Sequence, residues 1–225
     1  MHNVSELLTP AVKQELLALS RGTLTAQIAP ELKNQHQSTV QSVTSPSSPS
    51  SLSALPDSKP IESLATKPSP TTPSPACQKV LDLNLGLFVT LKIHGNLRGC
   101  IGNFAGAKNL GQLIGPLTLD SALRDYRFSP VLPNELPSII ISLSLLTPDQ
   151  PIPSWSHIEL GTHGIILEAQ GRRSVFLPEV ATEQGWNLEQ TLTALARKAG
   201  LSPLAWKEPK AHFRIFWTYH FGEDP

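Results

Sequence analysis

The segment Leu97-Arg98-Gly99-Cys100-Ile101-Gly102 places a thiol between two glycines and two residues after an arginine. A thiolate is a strong nucleophile, and a neighbouring cation makes it easier to form. Read as a strand, residues 97–101 send Arg98 and Cys100 to one face and Leu97, Gly99 and Ile101 to the other, towards a core. Arg98 and Cys100 would then lie about 7 Å apart, close enough for the guanidinium to favour the thiolate. Gly99 and Gly102 would let a ligand approach the backbone, whose N–H groups can donate to an anion. Three readings of Cys100 stand together: a reactive thiol, a thiol lining a pocket without reacting, and a small hydrophobe packed in place. In the last, the glycines simply admit a helix against the strand.

Two further groups bear on the same chemistry. Asp125-Tyr126-Arg127-Phe128 ends a helical segment. Structurally, Arg127 complements a helix C-terminus and Asp125 clamps it or Arg98. Functionally, Arg98 and Arg127 form an anion clamp beside Cys100, since guanidinium forks suit carboxylate or phosphate. Asp125, and Asn103 just after the motif, join the ligand-binding candidates. His163, in Gly161-Thr162-His163-Gly164, is either a base for Cys100 or a plain turn residue. The other histidines lack zinc-site spacing, there is no phosphate loop, and no motif specifies a cofactor or a metal.

The elements that position these residues follow from periodicity and punctuation. Thr9 caps and Pro10 opens a helix carrying Val12, Leu16, Leu17, Leu19, Leu24 and Ile28, with Pro30 as its stop. It is too short to stand alone and is expected to dock on the body. Residues 85–94 and 97–101 read as a hairpin around Gly95-Asn96. Residues 109–124 read as a helix that Gly115-Pro116 should break or kink. Residues 136–146 form a strand with Ile139, Ile141, Leu143 and Leu145 on one face. Residues 164–169 and 174–177 pair across Gln170-Gly171, and residues 188–199 form a helix closed by Gly200. Residues 211–221 read as one final strand. Hairpins separated by helices, without a βαβ rhythm, predict an α+β fold with antiparallel sheet.

The chain divides into an N-terminal helix (residues 1–30), a Ser/Thr/Pro-rich insertion (31–76) and a body (77–225). The insertion has too few apolar residues to offset its chain entropy and is expected to be disordered. Its alternative reading is a phosphorylated or partner-binding tail. Eighteen basic and 18 acidic side chains cancel, which removes any global field steering the chain to nucleic acid or anionic membrane. No apolar run approaches the roughly 18 residues of a membrane span. Two cysteines and no signal-like start give the expectation of a reducing, cytoplasmic setting.

Taken in order, several segments resemble the AMMECR family, whose bacterial and archaeal members are also called AmmeMemoRadiSam system protein A. They are Gly86-Leu87-Phe88-Val89-Thr90-Leu91, the segment around Cys100, Asp125 to Phe128, Glu135-Leu136 and Ser144 to Thr147. Gly161 to Gly164, Leu177-Pro178-Glu179-Val180-Ala181, Gly185-Trp186 and Lys198 to Leu201 continue the series, and residues 16–28 resemble the family's opening helix. The resemblance implies two interleaved subdomains with the Cys100 motif facing the cleft between them. It also implies association with Memo-like and radical-SAM proteins. This chain departs from the pattern at its insertion, at Tyr126 where proline is usual, and at Glu179 where glutamine is usual. It has no second cysteine near Ala196, which removes an internal cysteine pair.

Three functions compete. The first is an enzyme or enzyme component using Cys100, Arg98 and Arg127 on a small anionic or radical-derived substrate. The second is a non-catalytic partner protein. The third is a nucleic-acid binder using Arg124, Arg127, Arg172, Arg173, Lys207 and Lys210, ranked last because the chain is neutral.

Overall fold

A computed structural model describes residues 4–29 and 72–224. The expected disordered insertion lies, up to residue 71, outside the described residues, as does Pro30. After a short turn of helix, α1 (Val4–Leu7), comes α2 (Pro10–Ile28). As expected, Thr9 caps α2 by accepting the Val12 N–H, and Pro10 occupies its first turn. The next helix, α3 (Pro75–Leu81), opens two residues ahead of the boundary expected from composition. Its N-cap Ser74 is held by α2: the Ser74 N–H and hydroxyl donate to the two Glu15 carboxylate oxygens at 2.8 and 2.7 Å. Those bonds hold the Glu15 carboxyl below its ordinary value, while burial beside Glu15 pushes the Cys77 thiol up to about 11. Cys77 is fully buried, and packing is its role.

The first sheet has the order β2-β1-β3-β8 and is antiparallel throughout. Strands β1 (Gly86–Ile93) and β2 (Asn96–Asn103) turn at His94 and Gly95, both at positive φ, the geometry of a two-residue hairpin loop. On β1 and β3 (Ile139–Leu146) the inner face carries Leu87, Val89, Leu91, Ile139, Ile141, Leu143 and Leu145, all essentially dry. Helices α2, α3 and α4 (Leu110–Leu123) cover that face and share one core with it. Buried Ser20 and Thr118 hydrogen-bond at 2.7 Å between α2 and α4. Helix α4 runs unbroken through Gly115-Pro116. Pro116 lies on the exposed side, where the carbonyl it leaves free can meet water, while Leu113, Ile114 and Leu117 are buried on either side of it. That burial outweighs the roughly 3 kcal/mol cost of an interior proline.

The second sheet has the order β4-β7-β5-β6, again antiparallel. It comprises β4 (Gln150–Ile152), β5 (Gly164–Ala169), β6 (Arg172–Phe176) and β7 (His212–Phe216). Helix α5 (Pro178–Glu183) follows β6, and α6 (Leu188–Lys198) packs Leu192, Leu195 and Ala196 on Ile165, Leu167, Phe213 and Ile215. Gly200, at positive φ, ends α6 as expected.

The expected last strand is in fact two. β7 belongs to the second sheet, and after the single residue Trp217 the chain enters β8 (Thr218–Gly222) of the first. It had already crossed the other way between β3 and β4. The crossings bond to each other: the Thr147 N–H donates to the Trp217 carbonyl and the Trp217 N–H to Thr147 Oγ1, both at 3.0 Å. The interleaved architecture implied by the family resemblance is these two crossings.

Each sheet holds a glycine–phenylalanine pair across two of its strands. Gly164 lies opposite Phe216 on β7, and a Cβ on Gly164 would stand 2.1 Å from the ring. Gly102 lies opposite Phe88 with the same effect, at 2.3 Å. Gly164→Ala should therefore destabilise the chain by about 1–3 kcal/mol in urea unfolding. The second change Phe216→Leu should recover part of that loss; full additivity of the two would show that the ring does not need the glycine.

Candidate functional site

Strand β2 is an edge strand, and Arg98 is an extra residue in it. Leu91 pairs with Gly99 but Lys92 pairs with Leu97, so a bulge falls at Arg98. The bulge corrects the simple alternation expected from sequence: Leu97 shares a face with Lys92 and is 42% exposed instead of entering the core. Arg98 does not face the thiol. Its Nε and Nη2 donate to the two Glu135 carboxylate oxygens at 2.7 and 3.0 Å, and the guanidinium also caps the carbonyls of Ser129 and Pro130. The Arg98 hydrogen bond holds the Glu135 carboxyl below its ordinary value.

Asp125 and Arg127 close the free edge at Cys100. The Cys100 N–H donates to Asp125 Oδ2 at 2.8 Å, and Arg127 Nη2 donates to the Cys100 carbonyl at 3.1 Å. The same arginine donates to Asp125 from Nε at 2.9 Å and Nη2 at 2.6 Å. The side-chain pair thus takes the place of a neighbouring strand for one residue. Asp125 is buried, and the Arg127 hydrogen bond first, with the Cys100 and Arg127 N–H groups, drives its carboxyl far below the carboxylate range. Of the two roles read from sequence for this cluster, Asp125 clamping Arg127 is the contact present.

The glycines are filled from within. A Cβ on Gly99 would stand 2.1 Å from the Ser121 carbonyl of α4, so this glycine admits a helix. From the same turn, the Ser121 hydroxyl accepts the Ile101 N–H at 3.0 Å and donates to the Val89 carbonyl at 2.9 Å, bridging β1 and β2. The space over Gly102 holds the Phe88 ring. Neither glycine leaves backbone open for a ligand above its Cα. Asn103 is exposed and its side chain bonds to no described residue. The half-buried Cys100 thiol meets Thr90 Oγ1 across the hairpin at 3.2 Å.

His163 is not with this group. It is buried, its Nδ1 accepts the Glu159 N–H at 3.0 Å, and its ring packs edge-on against Trp217 at 5.2 Å. An accepting Nδ1 places the proton of the neutral ring on Nε2. The histidine therefore braces the turn against the crossing residue and makes no bond to Cys100.

Beyond Gly102 the motif leads into a cavity. Phe104 stands edge-on to Phe88 (5.7 Å, 77°) and to Phe216 (5.9 Å, 80°), linking one ring from each sheet. Phe104 and Ala105 form one wall of a cavity of about 370 Å³, and Thr147 and Asp149 from the crossing form another. Ile166, Val175, Arg173 and Phe216 of the second sheet complete it. Cys100 is not among the lining residues. A larger, shallower groove of about 570 Å³ runs beside Arg21, Leu136, Ile139 and Glu223. Its arginine is spent, being paired with Glu223 and bonded to the Leu136 and Ile139 carbonyls. We take the smaller cavity as the candidate site. No group of His, Cys, Asp and Glu among the described residues is arranged to hold a metal ion.

Glu135, Thr90, Ser121, Phe88, Phe104 and Phe216 all escaped the sequence reading of the site. Phe88, Thr90 and Glu135 carried a signal, through their places in the family pattern. The roles of Phe88 and Phe216 become visible only once strand register shows which glycine lies opposite each.

Two antiparallel sheets, the second inserted in the chain between two strands of the first, with a bulged edge strand pinned by an Asp–Arg pair, define an α+β protein with an inter-sheet cleft. The AMMECR1 family profile matches residues 57–221, and the chain belongs to that family. A protein of Methanothermobacter thermautotrophicus is 39% identical over 145 residues, 62% of this chain and 76% of its own. One from Methanocella arvoryzae is 36% identical over 152 residues, covering 64% and 77%. The crystal structure of an uncharacterized protein from Pyrococcus horikoshii superposes with a TM-score of 0.65 at 26% identity, over 97% of this chain and 94% of that one. Among the described residues, no helix is long and apolar enough to cross a membrane.

The Asp125 bonds set a pH dependence. Its folded-state value is depressed, so its contribution is full above the unfolded carboxyl value of about 3.9 and is lost as pH falls below that. Asp125→Asn should cost about 1–3 kcal/mol near neutrality. It should also flatten the acid limb of stability measured by urea unfolding; an unchanged acid limb would show that the carboxylate is not what titrates.

Proposed function

We propose that this AMMECR-domain protein binds a small ligand in the cleft between its two sheets, with the Cys100 segment as the rigid wall that shapes the cleft. The observation carrying this reading is the continuous path from the motif to the cavity: Gly102 seats Phe88, Phe88 meets Phe104, and Phe104 lines the cavity. The two arginines proposed as an anion clamp each hold a carboxylate of the chain, which argues against Cys100 as an arginine-activated nucleophile. Thiol chemistry then ranks below binding.

A second reading, a docking subunit for Memo-like or radical-SAM proteins, is favoured by one observation. Tyr126 is 94% exposed, Leu132 56% and Leu97 42%, and all three lie in segments tied together by the Arg98 and Arg127 bonds. Both readings give the protein a cytoplasmic place.

Purification under native conditions, followed by mass spectrometry of bound small molecules and proteins, separates these readings. Ligand binding predicts a small molecule that is lost in Ala105→Trp, which fills the cavity, and kept in Cys100→Ser. Loss in Cys100→Ser alone would return the thiol to the centre. A co-purifying protein lost in Tyr126→Ala, with no bound small molecule, would support the docking reading instead.

A further inference from the structure

Resting on the cleft reading, we propose that the cavity takes a small organic acid: a single aromatic or branched apolar body carrying one carboxylate. The apolar end is built and left partly open. Phe104 contacts two other rings yet remains 44% exposed, and Ile166, Val175 and Phe216 stand around it. A flat apolar group laid against Phe104 would remove that ring from water and gain an aromatic contact.

The polar end is rich in donors. Asp149 Oδ2 accepts from both Arg173 Nη2 at 3.0 Å and Arg214 Nε at 2.8 Å, so two guanidiniums share one carboxylate. Glu168 stands 3.5 Å from Arg173 Nε and balances the charge of the group, and it does not line the cavity. Among the described residues, Arg173 Nη1 bonds to nothing. Thr147 Oγ1 accepts the Trp217 N–H, which leaves its own proton to donate. An unused guanidinium donor calls for an acceptor, and a planar carboxylate matches a guanidinium edge. A cationic ligand would meet the guanidinium, and a wholly apolar one would use none of these donors. The volume of about 370 Å³ suits one ring and a short acid arm.

The test uses the full chain labelled with nitrogen-15 and two probes of one shape, phenylacetate and neutral phenylacetamide. Both should shift the amide signals of Phe104, Ala105, Val175 and Phe216, with phenylacetate about tenfold tighter or more. Arg173→Gln should bring phenylacetate down to the affinity of phenylacetamide, whose own binding should change little. Added salt should weaken phenylacetate alone in the unaltered chain, a readout that does not depend on any variant folding. Equal affinities, or no salt effect, would overturn the acid and leave the cleft reading standing. If neither probe moves the cavity signals, both fall.

Discussion

The arrangement of the whole molecule depends on one pair of bonds, where the chain passes between its sheets. It crosses twice, once from β3 to β4 and once from β7 to β8, and Thr147 and Trp217 bond to each other at the meeting point. Because the second sheet lies wholly between β3 and β8 in the chain, the first sheet takes its last strand from beyond the second and completes its hydrogen bonding only when the chain has crossed back. The crossings also fix where Thr147 and Asp149 stand, and so one wall of the cavity. His163 packs on Trp217 and belongs to the same brace.

The Cys100 segment is best understood as a backbone problem. An edge strand leaves N–H and carbonyl groups open to pairing with other chains. Here a bulge turns Arg98 outward to Glu135, and an Asp–Arg pair occupies both main-chain groups of Cys100. Each unusual residue type has a local cause. Gly99 yields to a carbonyl of α4, Gly102 yields to Phe88, and the small Cys100 side chain meets Thr90. A motif that reads as reactive chemistry therefore does a large amount of structural work, and its rigidity passes through Phe88 and Phe104 to the cleft.

Much of the fold was legible in the sequence. The α2 helix with its Thr9 cap, the inner face of β3, the turn at Gln170-Gly171 and the Gly200 stop all rest on near-neighbour chemistry and are present, as is the β1–β2 hairpin, whose turn falls at His94-Gly95, one residue before the Gly95-Asn96 read from sequence. The misreadings have a common origin. Pro116 was expected to interrupt α4, but the buried residues flanking it outweigh its local preference. The division of residues 212–222 into two strands left no mark in the alternation of side chains, because both halves are β and only their partners differ.

Composition and periodicity by themselves determined the class of fold and most of its elements, and the resemblance of ordered motifs pointed to the family. These depend on residues close in sequence, whose spacing is the physical signal. Tertiary structure alone decided which way each motif side chain points and what it meets. A one-residue bulge reverses the parity of a strand, and partners such as Arg98 with Glu135, Asp125 with Cys100 and Gly164 with Phe216 come from separate elements. Such contacts are set by strand register and by the crossing of chains, neither of which any local stretch of sequence encodes.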